Sequence, residues 1–154
     1  MKSFLIELFR EADPSQTLGE TITAREILEK GAARLEEQLV DEPAVRAELL
    51  DAIAQVERSL GLLEPARKHA EAAVALRRRE AGRLPRDLAA GLVTRAEVHF
   101  DAGELEPAGK ALDEALTLAP GLDSVRTPLG RRWLAARLAV LGQELDITRA
   151  ETLW

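Results

Sequence analysis

The stretch that decides the fold is residues 61–76, GLLEPARKHAEAAVAL, because the chain writes it again forty-two residues later, at 103–118, as GELEPAGKALDEALTL. Eight of the sixteen positions are identical: a glycine, a leucine, the run Glu-Pro-Ala, a lysine, an alanine and a closing leucine. Self-similarity at a fixed spacing marks stacked units, each too small to bury its own apolar face alone. Gly61 and Gly103 each end one helical pattern and precede another. Before Gly61, Leu49, Ile53, Val56 and Leu60 fall at helical spacing. After it, Leu63, Ala66, Ala70, Ala73 and Val74 share one face. Pro65 and Pro107 belong in the first turn of their helices, where the amide that proline lacks has no intrahelical partner.

Projected back by the same interval, the phase lands on Gly19, with Ala24 and Leu28 in the places of Ala66 and Ala70. ITAREILEKGAARLEEQL, at 22–39, is then another amphipathic helix, and Thr23-x-x-Glu26 reads as a capping box. A shorter helix from Ser3 to about Ala12 and a loop, DPSQTLG, precede it. Asp41, Glu42 and Pro43 suit a helix start. EAGRLPRD, at 80–87, is a connection that breaks at Gly82 and restarts at Pro85. APGLDS is a turn, and Thr127-Pro128 opens the last long helix. There Leu134, Ala135, Leu138 and Leu141 are expected on one side, with Gly142 closing the helix and the tail LDITRAETLW adding two turns. The expected units are 3–40, 43–80, 85–120 and 123–154: four helical hairpins in one domain, the last truncated.

Composition agrees. The 154 residues are 46% hydrophobic, mostly Ala and Leu, and 3% aromatic, with no Tyr. Ala, Leu, Glu and Arg are good helix formers, so the class is all-α. A net charge of −6 argues against a nucleic-acid-binding domain. Without cysteine there are no disulfides and no thiolate metal sites. The apolar runs fall short of the roughly 20 residues that span a bilayer. MKSFLIELFREAD reads as an amphipathic helix, not a signal peptide.

These residues resemble the tetratricopeptide repeats, helical hairpins with small residues at the crossings, then Ala-x3-large apolar, then Pro. Ala96, Gly103, Ala108, Leu112, Ala115 and Pro120 stand in that order, as do Ala54, Gly61, Ala66, Ala70 and Ala73 one unit earlier. The chain departs from the pattern at Glu57 and His99, which take the place of the first-helix aromatic, and at Arg95, where Leu is usual. Its spacing exceeds the common period of about 34 and is similar to the longer, kinesin-light-chain-like variety. FLIELFREADPSQTLGETITAREILEKGAARL is also similar to the segment opening the repeat region of large bacterial serine/threonine protein kinases. No glycine-rich loop, HRD or DFG accompanies it. The resemblance implies a right-handed α-α superhelix, a TPR-like solenoid, forming the repeat portion of a bacterial signalling protein. The compartment it implies is cytoplasmic, or extracytoplasmic where a membrane helix precedes it.

Candidate chemistry is sparse. His69 and His99 lack metal-ligand spacing, and Ser3, Ser15, Ser59 and Ser124 stand in no GxSxG. Arg77-Arg78-Arg79 could be a phosphate patch, but it falls in the last turns of a helix, where cations favour the dipole. In the family, function lies on the concave side lined by first helices. In phase with the alanine markers, that side holds Glu48, Asp51, Gln55 and Arg58, then Thr94, Glu97, Phe100 and Asp101, then Arg132 and Trp133. The family's carboxylate clamp has Asp51, Gln55, Ala90 and Thr94 in its places, so an acidic C-terminal peptide is not the expected ligand. The sequence therefore implies a non-enzymatic scaffold for a helix or extended protein segment with some basic residues. No cofactor, metal, nucleic acid or membrane insertion is expected. A rival reading is a self-association or spacer module, a homo-oligomer formed through the open C-terminal end. An enzyme would need His99, Glu57 and Glu97 to converge in a pocket.

Overall fold

The computed structural model describes residues 23–79 and 84–151. Those residues form helices and turns with no strand: α1 (Ala24–Gln38), α2 (Pro43–Ser59), α3 (Leu63–Arg79), α4 (Pro85–Asp101), α5 (Leu105–Leu118) and α6 (Pro128–Glu151). Each helix packs against the next in sequence, α2 and α3 most extensively and α4 and α5 nearly as much. In addition α4 touches both α2 and α6. The expected helix at 3–12, the loop after it, Gly19, the break at Gly82 and the last three tail residues lie outside the described residues.

The local signals act as their chemistry dictates. Glu26 Oε2 accepts the Thr23 amide at 2.8 Å, and Thr23 Oγ1 accepts the Glu26 amide at 3.3 Å, so the capping box opens α1. Pro43, Pro85 and Pro128 each take the first helical position. At the start of α6, Thr127 Oγ1 accepts the Gly130 amide at 3.0 Å. The two hairpin turns are copies. Gly61 and Gly103 have φ of 74° and 78°. The Leu62 and Glu104 amides reach back to the Glu57 and His99 carbonyls, both at 2.8 Å. The Gly61 and Gly103 amides bond the Arg58 and Phe100 carbonyls. This is a Schellman motif written twice.

Between the turns the helices close on alanine. Ala47, Ala54, Ala66 and Ala73, and the residues forty-two further on, Ala89, Ala96, Ala108 and Ala115, are all 0% exposed. With no side chain beyond Cβ, each lets the facing backbone approach, and Leu50, Leu92, Leu112 and Val98 fill the space around them. The largest apolar cluster joins Val74 of α3 to α4, α5, Leu122 and α6. A second joins Ala32 of α1 to α2 and α3.

Three expectations are corrected. Gly142 does not close α6, which runs unbroken to Glu151 and takes in the first part of the tail. The buried face of α6 is Trp133, Ala136 and Val140, while Ala135, Leu138 and Leu141 are exposed and Leu134 is half-buried. Of the apolar residues expected on one face before Gly61, Leu49 is buried and Ile53 half-buried, but Val56 and, just past the end of α2, Leu60 are exposed, and Ala47, Leu50, Ala54 and Glu57 turn inward. In α2 the small residues Ala47 and Ala54 mark the contact, whereas in α6 Trp133 and Val140 do, with Ala136 between them.

A Cβ on Gly61 meets nothing within 4 Å, so Gly61→Ala carries only the left-handed backbone cost of about 1–2 kcal/mol. A Cβ on Gly130 collides with the carbonyl oxygens of Ser124 and Leu122, which cannot rotate away. Urea denaturation should show Gly130→Ala to be the more damaging of the two.

Candidate functional site

The face shared by α2, α4 and α6 carries a chain of ion pairs centred on Glu97. Arg132 of α6 donates from Nε to Glu97 Oε1 at 3.1 Å and from Nη2 to Glu97 Oε2 at 2.7 Å. Its Nη2 also reaches Thr94 Oγ1 at 3.0 Å. Arg58 of α2 donates to Glu97 Oε2 at 3.3 Å and, through Nε, to Asp101 Oδ2 at 2.5 Å. One carboxylate on the middle helix is therefore held by an arginine from each flanking helix. The Glu97 side chain is 11% exposed and the two arginines about a third exposed. Burial alone would lower the Arg132 guanidinium, but the hydrogen bonds and charge of Glu97, helped by Asp51, raise it above its ordinary value.

Of the ten residues expected to line the groove, Asp51, Gln55, Arg58, Thr94, Glu97, Asp101 and Arg132 fall into linked polar contacts. Gln55 Nε2 donates to Asp51 Oδ2 at 3.1 Å, and Arg77 of α3 stands 3.4 Å from Asp51 Oδ1. Glu48 is exposed and lines a cleft of about 400 Å³ with Pro43, Val45, Leu76, Arg77, Leu84 and Asp87. Phe100 is half-buried against the main core. Trp133 is core, not groove: it is 6% exposed and its Nε1 donates to the Leu112 carbonyl at 2.8 Å, pinning α6 to α5. Its neighbour Arg132 faces α4 because adjacent residues stand about 100° apart on a helix.

Two of the three arginines of the run meet carboxylates. Arg77 lies against Asp51, and Arg78 Nη2 donates to both Glu114 oxygens at 2.8 Å. Arg95 lies with Nη2 3.9 Å from Glu114 Oε2. Burial lowers its guanidinium, Glu114 partly opposing and Arg78 adding to the effect.

Sequence reasoning did not pair the histidines. Glu57 is 1% exposed and its Oε2 lies 2.7 Å from His69 Nδ1, itself buried. His99, at the position equivalent to Glu57, hydrogen-bonds the Glu104 carboxylate instead. The available signal was a pair of titratable residues, Glu57 and His99, at equivalent positions of the two repeated units. Glu57, His99 and Glu97 thus have separate partners and do not converge on one point. Among the described residues no group of three or more His, Asp or Glu could hold a metal ion. No helix among them is long and apolar enough to cross a membrane. No protein-family model, no curated protein and no solved structure matches this chain.

Removing one member of the buried pair leaves the other unpartnered. His69→Ala should cost about 3–5 kcal/mol, and Glu57→Leu/His69→Leu should recover most of it; urea melts in a double-mutant cycle read both. The hydrogen bond from His99 holds the Glu104 carboxyl below its ordinary value, with burial opposing and the charges of His99 and Arg67 assisting. A depressed carboxylate adds stability that is present above its unfolded pKa, about 4.3, and lost as pH falls through the lower folded value. Glu104→Gln should therefore flatten the acid limb of stability between pH 5 and pH 3, read by urea midpoints at each pH.

Proposed function

We propose that this chain is a tetratricopeptide-like scaffold whose α2–α4–α6 face receives a segment of another protein, without catalysing a reaction. The observation that carries the reading is the direct contact of α4 with both α2 and α6, where Arg58, Glu97 and Arg132 form a polar row beside the apolar clusters that join Ala54 to Val98 and α4 to Trp133 and Ala136. The first helices of successive hairpins lying side by side is the arrangement expected on the inner curve of a superhelix, where such domains bind. The two 42-residue units, their shared alanines and their identical turns support the same architecture.

The row has the chemistry of a docking floor. Arg58 and Arg132 are tethered through part of their donor sets and remain a third exposed, so their other N–H groups can meet carbonyls of an incoming segment. Exposed Glu48 and Asp101 supply acceptors for basic side chains. Because the arginines are already fixed by Glu97, docking orders little that is not ordered beforehand. The likeness of the N-terminal stretch to the repeat region of bacterial kinases suggests a signalling protein as the setting.

Affinity capture with the chain, followed by mass spectrometry, identifies the partner. Glu48→Ala/Gln55→Ala/Arg58→Ala, which leaves the Glu97–Arg132 contact in place, should then weaken that partner at least tenfold, about 1.4 kcal/mol, with helicity unchanged by circular dichroism. Equal affinity in the variant would remove the groove assignment.

A further inference from the structure

The last described helix exposes a face that its counterparts bury. Leu138 is 67%, Leu141 39% and Leu145 70% exposed. With half-buried Leu134 they run at intervals of four, three and four residues, the spacing of a coiled-coil seam. Shifted back by forty-two, Leu134, Leu138 and Leu141 fall on Leu92, Ala96 and His99; shifted again, on Leu50, Ala54 and Glu57. In α4 and α2 that face is covered by the helix's own hairpin partner. His99 bonds Glu104 at the head of α5, Glu57 bonds His69 of α3, and Ala54 clusters with Ala66 and Ala70 of α3. The same shift sets Trp133, which meets α5, over Gly91, which meets Arg77 and Val74 of α3. The stripe is therefore the seat of a second helix that α6 lacks among the described residues. A solenoid end is ordinarily polar.

We infer that a second copy of this chain occupies the seat, its α6 running antiparallel to the first. Charge sets the direction. The first half of α6 carries Arg131, Arg132 and Arg137 and no acidic residue; the second half carries Glu144, Asp146 and Glu151 with one base, Arg149. An antiparallel copy lays each basic half on the other's acidic half and brings Arg137, whose Nη2 lies 3.3 Å from Asp113 Oδ1 of its own chain, beside Glu144 of the second copy. A parallel copy sets like on like. The opposite flank of the stripe holds Ala135 and Gly142, and a Cβ on Gly142 meets nothing within 4 Å, so the two helices approach closely there. Each α6 then serves as the missing hairpin partner of the other, in a two-fold interface where the same patch meets itself. This surface is separate from the α2–α4–α6 floor and stands whether or not that floor binds a partner.

Sedimentation of the full chain from 1 to 200 μM should show a monomer–dimer equilibrium. Leu138→Glu/Leu145→Glu, at two exposed positions, should raise the dissociation constant at least tenfold with unchanged helicity. The chain has no cysteine, so orientation can be read by cross-linking. In an antiparallel pair residue 134 of one copy faces residue 145 of the other. Leu134→Cys and Leu145→Cys chains should therefore form a disulfide when mixed and none alone, since like positions lie about 16 Å apart along the axis, beyond disulfide reach. Three results overturn the proposal: a monomer throughout, a dimer indifferent to the two glutamates, or disulfides in each variant alone. A monomer whose melting temperature drops in the Leu138→Glu/Leu145→Glu variant would assign the seat to the chain's own terminal segments instead.

Discussion

Everything in this fold depends on how closely two helices can approach. Ala54, Ala66 and Ala73, with Ala96, Ala108 and Ala115 in the next unit, sit at contact points with no exposed surface. A longer side chain at any of them would push the pair apart, and interiors packed to crystal density do not absorb that change locally. The Schellman turns at Gly61 and Gly103 complement the alanines. They fix how each chain reverses, while the alanines fix how near the return helix lies. Two parameters set twice, in the same way, give two hairpins of one geometry, and stacking follows from it.

Beside the apolar clusters that join α4 to α6 and Ala54 of α2 to Val98 of α4, polar side chains line one face of these three helices. Glu97 can be reached by Arg58 and Arg132 together because those three helices lie side by side. The result is a row in which Glu97, Asp101, Arg58 and Arg132 are paired within the fold while the two arginines stay partly open to solvent. Buried pairs of this kind add specificity of arrangement more dependably than they add stability.

What the sequence disclosed, and what it hid, follows the range of the interaction. The capping box at Thr23 and Glu26, the prolines at the first turns and the glycine turns involve residues within a few positions, and all were legible. The crossings were legible through repetition: Ala66 and Ala108 announce each other. Glu57 with His69, twelve residues apart, and Asp51 with Arg77, twenty-six apart, carry no local mark, since many pairings satisfy the same composition. The face of α6 was misread for a different reason. Gly142 resembles Gly103, but the interval between them is thirty-nine, and three residues on a helix turn every side chain by about 60°. The forty-two-residue phase, which sets Trp133 over Gly91 and Leu138 over Ala96, describes the packing; the glycine match does not. Within the candidate site, Arg58, Glu97 and Arg132 share one face, as the spacing implied, whereas Trp133 turns into the core, because a neighbour in sequence is a quarter-turn away in space.

The acid–imidazole contacts of the two units have opposite polarity. In one, the first helix supplies the carboxylate, Glu57, and the second helix the ring, His69; in the other, the first helix supplies the ring, His99, and the carboxylate is Glu104 at the head of the second. The turns and alanines are interchangeable, so by shape alone α2 could close on α5, or α4 on α3. Chemistry forbids both exchanges. The first would leave Glu57 facing Ala111 and a second carboxylate, and the second would set one imidazole against another. Each helix thus carries a key that fits its own neighbour in the chain, which lets a nearly symmetric repeat assemble in one order.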